Sequence, residues 1–407
     1  MPRARLPWAR LPWARLPWAR LPRALLLVLA VAIAGCSVAP RPTEPGVRLL
    51  PATFAAIPGW HTDPLADLER AIARQCDASR SAFAWSGLCD EARSRSGPAL
   101  RAWIESRFDA YAIEVTDREG ATRDTGLLTG YYEPLLNGSR ERGGPYQVPL
   151  YRQPDDLLVI DLAAVYPQTR GLRLRGRLDG KRVVPYWSRA EIENGRALTG
   201  HEILWVDDAV DAFFLQIQGS GKVRLPDRST VRVGYANQNG HPYRAIGREL
   251  VERGALSLED VSAPAIRAWL ATHPGQAREL MQRNPSYVFF RELPPAADPE
   301  EGPPGSMGVP LTPLRSLAID PAAVPLGSFV YFTSDHRLDG APVRRLALAQ
   351  DSGGAIRGAI RADLFWGAGD RAQREAGVMR ARMRLWLLWP RGQEPPIPAM
   401  SAAAATR

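Results

Sequence analysis

Cysteine and histidine are scarce in this chain, which has 407 residues with three cysteines and five histidines. The histidines are scattered and show no spacing typical of zinc ligands, so we expect neither a metal site nor a cofactor. A serine-nucleophile elbow of the GxSxG type is also missing, because the glycines and serine at 219–221 have the wrong spacing. These absences exclude the common metal-dependent and serine hydrolases and leave carboxylates as the candidate chemical groups.

A long hydrophobic run and a strong charge imbalance in the mature chain are missing as well. The apolar run at 24–34 is too short to span a bilayer as a mature helix. The formal net charge is +9, but residues 1–35 carry six arginines and no acidic residue, so the remainder carries only +3. No arginine-aromatic recognition motif accompanies this charge, which argues against a nucleic-acid partner.

The N-terminus is typical of an export signal, with a basic region, an apolar run and then small residues before Cys36. The sequence Ile33-Ala34-Gly35-Cys36 resembles the lipobox of bacterial lipoproteins, which implies removal of residues 1–35 and acylation of Cys36. A plain secretory signal with an incidental cysteine is the alternative. Ser37, where an inner-membrane lipoprotein would have Asp, resembles the pattern sent to the outer membrane. We therefore expect a lipid-anchored protein that faces the periplasm.

Segments rich in proline and alanine flank the body of the chain. Residues 36–60 are predicted to tether the lipid to the fold, and residues 391–407 are predicted to form a disordered tail. With Cys36 lipidated, Cys76 and Cys89 remain as a pair, and export makes a disulfide between them chemically possible. The sequence leaves open whether that bond forms.

Apolar periodicity predicts helices at both ends of the folded body and strands between them. The first helix is expected to open at Asp63, as N-cap before Pro64. Further helices are expected after Pro98, after Pro242, and at 262–272, 276–283 and 370–383.

Strands dominate the pattern from 111 to 235, and the alternation is sharpest at 213–220. In this strand the apolar side chains should point one way, and Gln216, Gln218 and Ser220 the other. A solvated strand face is the simplest interpretation. A row of amides and hydroxyls is also what a cleft for sugar chains requires, because sugar hydroxyls and N-acetyl groups need donors and acceptors together.

Three aspartates in the C-terminal part of the chain each lie at the end of a short apolar run. Asp320 follows one such run, Asp351 opens a glycine turn, and Asp363 is followed by three apolar side chains at 364–366. A carboxylate among hydrophobic side chains beside such a turn is a place where a raised pKa is expected. A turn or helix cap is the alternative for any one aspartate, but three in similar positions favour a functional site.

These aspartates belong to a longer series of motifs. The motifs are GLLTGYYEP (126–134), FLQIQGSGKVRLPDR (214–228), VGYANQNGHPYRAIG (233–247), NPSYVFFRE (284–292), AIDPAAVPLGS (318–328), AQDSGGAIRG (349–358) and RADLFWGAG (361–369). In this order they resemble the membrane-bound lytic transglycosylase A family over roughly residues 60–390, and the last three resemble its three-aspartate domain. The family often has an aromatic residue before the third aspartate, where this chain has Ala362.

The resemblance implies a mainly β fold with flanking helices. A double-psi β-barrel catalytic domain would contain a second, smaller inserted β-barrel domain, with a long groove between them. Carried onto this chain, the catalytic domain covers 61–136 and 240–390, with the three-aspartate part at 310–385. The inserted barrel covers 137–239.

The resemblance also implies a reaction. A lytic transglycosylase of this kind cleaves the β-1,4 bond between N-acetylmuramic acid and N-acetylglucosamine in peptidoglycan and leaves 1,6-anhydromuramoyl ends, here by exolytic action. The nucleophile is the muramoyl residue's own 6-hydroxyl, so a single residue, Asp363, suffices as acid and then as base. Asp351 and Asp320 become supporting residues, which either hold the glycine loop or raise the pKa of Asp363.

Substrate contacts are expected from both domains, at Thr129, Gly130, Tyr131, Gln216, Gln218, Ser220, Gly353 and Gly354. The two last glycines would let backbone amides approach the sugar. Two other functions stay open: a non-catalytic peptidoglycan-binding lipoprotein, and a hydrolase that uses Asp351 to activate water. Proteins of cell-wall synthesis or division are candidates for further partners.

Overall fold

A computed structural model describes residues 46–396, apart from 79–81, 118–119, 170–171, 297 and 299. The predicted signal peptide, Cys36 and residues 397–407 of the predicted tail lie outside the described residues. Residues 46–52, within the predicted tether, form a strand, and we therefore propose that the folded body begins at residue 46. In the described ranges, no helix is both long and apolar enough to cross a membrane.

The described part of the chain is mainly β. Its strands are β1 (Gly46–Ala52), β2 (Phe108–Thr116), β3 (Thr122–Arg123), β4 (Gly126–Glu133), β5 (Leu135–Ser139), β6 (Val148–Tyr151), β7 (Leu158–Val159), β8 (Arg175–Asp179), β9 (Arg182–Pro185), β10 (Glu202–Val206), β11 (Ser220–Arg224), β12 (Thr230–Gln238), β13 (Val288–Leu293), β14 (Ser316–Ile319), β15 (Phe329–Leu338), β16 (Ala341–Ser352), β17 (Arg361–Ala368) and β18 (Arg380–Pro390).

Helices cover the ends of the body and return the chain between the sheets. They are α1 (Leu68–Ala78), α2 (Cys89–Arg93), α3 (Gly97–Arg107), α4 (Arg189–Asn194), α5 (Ala209–Gln218), α6 (Ile246–Glu252), α7 (Ala263–Thr272), α8 (Pro274–Gln282) and α9 (Gly369–Val378). Short 3₁₀ turns occupy Phe54–Ala56, Trp60–Thr62, Ser86–Leu88 and Pro167–Thr169. The helices expected after Pro98 and Pro242 and near 262–283 are confirmed.

Six strands close into the first barrel. They follow the order β18-β15-β16-β14-β17-β4, and β4 returns to pair with β18. The pairings of β14 with β16 and of β17 with β4 are parallel, and the other pairings are antiparallel. β1 and β2 extend the sheet outward from β18. The parallel pairings bring distant motifs, such as those at 126–134 and 361–369, side by side.

Both faces of the first barrel's strands are buried, which explains why they give apolar runs and little alternation. Along β15, Val330 and Phe332 point into the barrel core. Phe329 and Tyr331 point outward, under the N-terminal helices. Trp85 stacks on Phe329 there, with the ring centroids 4.7 Å apart.

The second barrel is the sheet β13-β12-β11-β5-β10-β6, and a bridge between Arg152 and Phe290 joins its two edges. β7, β8 and β9 form a small separate sheet. The expected fold class, a mainly β protein with a double-psi barrel, a second barrel and flanking helices, is confirmed. Because β13 pairs along its length with β12, we propose that the inserted unit extends to residue 293, beyond the limit of 239 expected from the sequence.

The strand expected at 213–220 is wrong for most of its length, because these residues belong to helix α5. Asp208 caps the helix by accepting hydrogen bonds from the Val210 and Asp211 amides at 2.7 and 2.9 Å. Gly219 ends it in the left-handed conformation, with φ of 83°. The two caps bracket ten residues and outweigh the alternating pattern.

The helix expected to open at Asp63 begins five residues later, at Leu68. Leu65 and Asp67 adopt positive φ, at 57° and 63°, which is incompatible with a helix. The Asp63 carboxylate accepts from the Leu65 amide at 3.1 Å, so it closes a local turn instead of capping the helix.

The helix expected at 370–383 is also too long. It ends at Val378, and Arg380–Pro390 forms strand β18. Ala381, Met383 and Leu385 are buried in alternation with exposed arginines, which is strand periodicity.

A disulfide joins Cys76 to Cys89 and ties the end of α1 to the start of α2. The sequence left this pairing open. Closing a loop of this size limits the freedom of the unfolded chain and contributes about 3 kcal/mol by chain-entropy arguments.

A buried ion pair ties the N-terminal segment to the first barrel. Both oxygens of Asp63 accept from Arg315, at 2.7 and 2.8 Å, and the Leu346 amide donates at 2.7 Å. Neither charged side chain is more than 1% exposed. Burial alone would raise the pKa of Asp63, but the hydrogen bonds and charge of Arg315 lower it below its usual value.

We predict that Asp63→Ala lowers the free energy of unfolding by about 3–5 kcal/mol, because it leaves a buried guanidinium without a partner. Denaturant unfolding measures the loss. The wild-type contribution should be complete above the unfolded-state pKa of about 3.9 and disappear as the pH falls through the lower folded-state value. Asp339→Ala, which breaks the exposed pair with Arg371, is the control and should cost less than about 1 kcal/mol. Equal losses in the two variants would contradict the prediction.

Candidate active site

A groove of about 2180 Å³ runs between the two barrels. The first barrel contributes β4, β17 and the loop after β16, and the second barrel contributes α5 and β12. Every residue selected from the sequence for chemistry or substrate contact lines it: Thr129, Gly130, Tyr131, Gln216, Gln218, Ser220, Asp320, Asp351, Gly353, Gly354 and Asp363.

Asp363 is the third residue of β17 and not, as expected, the end of a strand. Its neighbours Ala362 and Leu364 point into the barrel core, so strand alternation directs the Asp363 side chain to the groove. An apolar cluster lines the barrel wall there, formed by Tyr131, Leu311, Ala318, Ile356 and Phe365. The carboxyl group is half-buried beside this cluster.

A chain of hydrogen bonds orients the Asp363 carboxyl group. Thr129 lies opposite Asp363 in the parallel pairing of β4 with β17, and its hydroxyl donates to Asp363 Oδ1 at 2.7 Å. Arg361 Nη2 donates to the same hydroxyl oxygen at 2.8 Å. Because arginine can only donate, the threonine oxygen accepts from Arg361 and keeps its own proton for Asp363.

The surroundings of Asp363 favour its protonated form. Burial raises the pKa of this carboxyl group, and the nearby charge of Asp351 acts in the same direction. The charge of Arg361 and the hydrogen bond from Thr129 oppose these effects without cancelling them. Asp363 therefore holds its proton to a higher pH than an exposed aspartate does.

Asp351 is engaged through both carboxylate oxygens. Oδ1 accepts from the Ser306 amide at 2.9 Å, the Ser306 hydroxyl at 2.8 Å and the Ser352 amide at 2.8 Å. Oδ2 accepts from the Tyr131 hydroxyl at 3.0 Å. Burial raises the pKa of Asp351, whereas these four donors favour its ionised form. The bonds make Asp351 a holder of Tyr131 and of the loop at Ser306.

Asp320 holds the loop that follows the glycines. Its Oδ2 accepts from the Gly358 amide at 2.7 Å, and its Oδ1 accepts from the Ala322 amide at 3.2 Å. The side chain is buried, and only Arg357 lies nearby among charged groups of the described chain, 4.0 Å from Oδ1. In the same part of the chain, no group of three or more His, Cys, Asp or Glu is placed to hold a metal ion.

The two glutamines lie on helix α5, and their carbonyl oxygens bind protein groups. Gln216 Oε1 accepts from Arg189 Nη2 at 2.7 Å, and Gln218 Oε1 accepts from the Tyr132 amide at 3.0 Å. Arg189 is buried and lies over the rings of Phe213 and Tyr287. The glutamine amide groups line the groove as donors.

The glycines of the groove differ in what they require. A Cβ at Gly130 would lie 2.6 Å from Trp366 Nε1 and 2.8 Å from Ala376 Cα, so this glycine is needed for close packing. A Cβ at Gly354 would have Arg173 Nη1, at 3.9 Å, as its nearest neighbour. The fold therefore has room for a side chain at Gly354, and glycine there leaves open space at the groove surface.

Sequence reasoning missed three residues of the site. Arg361 was detectable, because it lies two positions before Asp363 and strand periodicity puts both on one face. Ser306 lies in a loop rich in proline and glycine, and Arg189 opens a short helix; neither had a periodic signal. Their contacts join segments more than 25 residues apart along the chain.

A long polar groove with a half-buried carboxyl group that retains its proton defines an enzyme that cleaves polysaccharide chains. Residues 127–291 match the family described as the MltA specific insert domain, and residues 315–389 match the 3D domain. The chain is 33% identical to membrane-bound lytic murein transglycosylase A of Escherichia coli K12 over 301 residues, which cover 72% of this chain and 73% of that protein.

Solved structures agree with this similarity. The membrane-bound lytic murein transglycosylase of Agrobacterium tumefaciens has a TM-score of 0.73 at 30% identity, over 85% of this chain and 98% of the other. Escherichia coli MltA with bound chitohexaose has a TM-score of 0.62 at 27% identity, over 81% and 91%. The chain belongs to the membrane-bound lytic murein transglycosylase A family, as the motifs indicated.

We predict that Thr129→Val raises the pKa of Asp363, because it removes a hydrogen bond that favours the ionised carboxylate at nearly constant side-chain volume. The alkaline limb of the pH–rate profile should shift to higher pH. Steady-state cleavage of purified peptidoglycan across the pH range measures this shift. Thr122→Val, in a strand outside the groove, is the control and should leave the profile unchanged. A shift of the alkaline limb to lower pH would contradict the assigned hydrogen bond.

Proposed function

We propose that this protein uses Asp363 as the single acid and base to cleave the β-1,4 bond between N-acetylmuramic acid and N-acetylglucosamine in peptidoglycan. The observation that carries the proposal is the state of Asp363, which is half-buried in the groove wall with a raised pKa and a hydrogen bond from Thr129. A group that retains its proton near neutral pH can protonate a leaving oxygen.

The reaction needs no second carboxylate. Asp363 donates its proton to the glycosidic oxygen as the bond from that oxygen to the anomeric carbon breaks. The 6-hydroxyl oxygen of the same muramoyl residue attacks the anomeric carbon, and its proton passes to the Asp363 carboxylate. The acid is restored, and the products are a 1,6-anhydromuramoyl end and a free 4-hydroxyl. An intramolecular nucleophile can supply ~7 kcal/mol or more of the barrier reduction when well oriented.

Hydrolysis on the same barrel is the second candidate. It would require another carboxylate to activate water, and Asp351 is the nearest acidic residue that acts on Asp363. Its two oxygens already accept four hydrogen bonds from Ser306, Ser352 and Tyr131. Asp351 is better suited to positioning the groove wall than to taking a proton from water, which favours the transglycosylase reaction.

We propose that the glycan lies along the groove in contact with both barrels. Thr129, Gly130 and Tyr131 line it from the first barrel, and the Gln216 and Gln218 amide groups and Ser220 line it from the second. The open space at Gly353 and Gly354 suits close approach of a sugar to the backbone. A non-catalytic binding protein would have no use for a protonated carboxyl group at this point.

We propose further that an acyl chain on Cys36 anchors the protein in the outer membrane, facing the periplasm. The support is the sequence Ile33-Ala34-Gly35-Cys36 and the residue after it, Ser37. The relatives named above are called membrane-bound. One acyl chain alone binds weakly, so stable anchoring would need more than one chain on the terminal cysteine.

We predict that Asp363→Asn reduces release of 1,6-anhydromuropeptides by at least about 10³-fold, because the amide has no proton to donate to the leaving group. Mass spectrometry of digested peptidoglycan measures the products, since an anhydro end has one water less than a reducing end. Glycan binding and the unfolding transition should stay as in the wild type. Asp339→Asn, an exposed control, should retain full turnover.

Two results would contradict this assignment. Near-normal turnover by Asp363→Asn would remove Asp363 from the chemistry. Loss of activity in Asp351→Asn with full activity in Asp363→Asn would exchange the roles of the two residues. Reducing ends without anhydro ends from the wild type would establish the hydrolase instead.

We predict that Cys36→Ser moves the protein from the membrane fraction to the soluble periplasmic fraction, because it removes the acylated thiol. Fractionation with immunodetection measures the distribution. Ser37→Asp should keep the lipid but retain the protein in the inner membrane. An unchanged membrane fraction for Cys36→Ser would contradict lipid anchoring.

A further inference from the structure

The groove carries more positive charge than a neutral sugar chain requires. Eight arginines line it, namely Arg173, Arg175, Arg189, Arg248, Arg291, Arg357, Arg361 and Arg380. Four acidic residues line it, namely Glu252, Asp320, Asp351 and Asp363. The hydroxyl and N-acetyl groups of a glycan are uncharged, so the excess of arginine needs another explanation.

Several of these arginines have structural partners. Arg189 binds Gln216, and Arg361 binds Thr129. Arg175 donates to Asn237 at 2.8 Å, and Arg380 donates to the Leu258 carbonyl at 2.9 Å. These side chains contribute to the walls of the groove through neutral acceptors.

Arg173 and Arg357 stand apart because they flank the open glycine loop. Arg173 Nη1 lies 3.9 Å from the Cβ position of Gly354, across from the loop that carries Arg357. Arg357 donates to the Ile356 carbonyl at 3.3 Å, and its nearest carboxylate oxygen, on Asp320, is 4.0 Å away. Among the described residues, no carboxylate lies within 4.0 Å of Arg173.

The placement of these two guanidinium groups favours an anionic ligand. Both side chains are half-buried, so part of their hydration is lost without a close ion pair to replace it. Guanidinium groups bind carboxylates through two parallel N–H bonds, and a planar fork is better suited to this than an ammonium group. The glycines between them leave room for such a group to enter.

We propose that Arg173 and Arg357 form a carboxylate-binding subsite for the acidic substituent of a muramoyl residue, carried on its lactyl group. This inference rests on the proposed function, because it takes a peptidoglycan strand as the occupant of the groove. The carboxylate comes either from the peptide attached to the lactyl group or from the lactyl group itself in a peptide-free strand. The subsite would distinguish muramoyl strands from neutral N-acetylglucosamine polymers.

Binding to an Asp363→Asn background tests the proposal without turnover. Three hexasaccharides serve as probes: neutral chitohexaose, a peptide-free muramoyl strand with lactyl carboxylates, and the same strand with its peptides. In Arg173→Gln/Arg357→Gln, the Kd for carboxylate-bearing strands should rise by at least about 10-fold, as expected for loss of charge-assisted hydrogen bonds. The Kd for chitohexaose should change less than about twofold.

Two variants control for charge and geometry. Arg196→Gln removes the same charge from an exposed position outside the groove and should leave all three Kd values unchanged. Arg173→Lys/Arg357→Lys keeps the charge and loses the fork, so it should restore part of the affinity. The preference for carboxylate-bearing strands should weaken with added salt. Thermal unfolding of each variant establishes that the fold is retained.

The probes separate the possible outcomes. A loss confined to the peptide-bearing strand assigns the subsite to a peptide carboxylate, and an equal loss on the peptide-free strand assigns it to the lactyl group. Equal losses on chitohexaose and on muramoyl strands, or no loss on any, would overturn the proposal. Failure of the proposed function is distinct, since it would appear as wild-type protein that forms no anhydro ends whatever the binding preference.

Discussion

The hydrogen bond from Thr129 to Asp363 connects the chemistry of this protein to the closure of its first barrel. The two residues face each other in the parallel pairing of β4 with β17, and β4 also pairs with β18 to close the barrel. Backbone pairing therefore fixes the position of the acid, and a flexible loop does not. A group held on rigid strands keeps its geometry through the proton transfers assigned to it.

The electrostatic balance around Asp363 depends on how Arg361 is used. A direct ion pair would favour the ionised carboxylate and deprive it of its role as an acid. Arg361 instead donates to the Thr129 hydroxyl, which passes a neutral hydrogen bond to Asp363. Burial of Arg361 lowers its own pKa, while the charge of Asp363 opposes this effect. The arrangement holds the acid in place without stabilising its charge fully.

The sequence predicted the chemical residues better than the elements that carry them. Asp320, Asp351 and Asp363 stood out because short apolar runs and glycines surround each of them, and all three line one groove. The alternation at 213–218 indicated a strand, although caps at Asp208 and Gly219 make it a helix. Local patterns of period 2 and 3.6 overlap in so short a segment, and only the caps decide between them.

Contacts between distant segments were beyond the reach of the sequence. The strand Val288–Leu293 joins the second barrel through pairing with β12, more than 50 residues earlier, and no local signal marks that choice. The same holds for Arg189 under Gln216 and for Arg173 opposite Gly354. These contacts shape the groove, whereas the motifs supply its reactive group.

The account is tested most directly by titration of the Asp363 side chain itself. Carbon-13 labelling of aspartate carboxyl groups allows NMR to follow Asp363 and the exposed Asp339 in one sample, with Asp363→Asn assigning the signal. The account predicts that Asp363 releases its proton at a clearly higher pH than Asp339. Titration of Asp363 at or below the pH of Asp339 would contradict the assignment of Asp363 as the protonated acid.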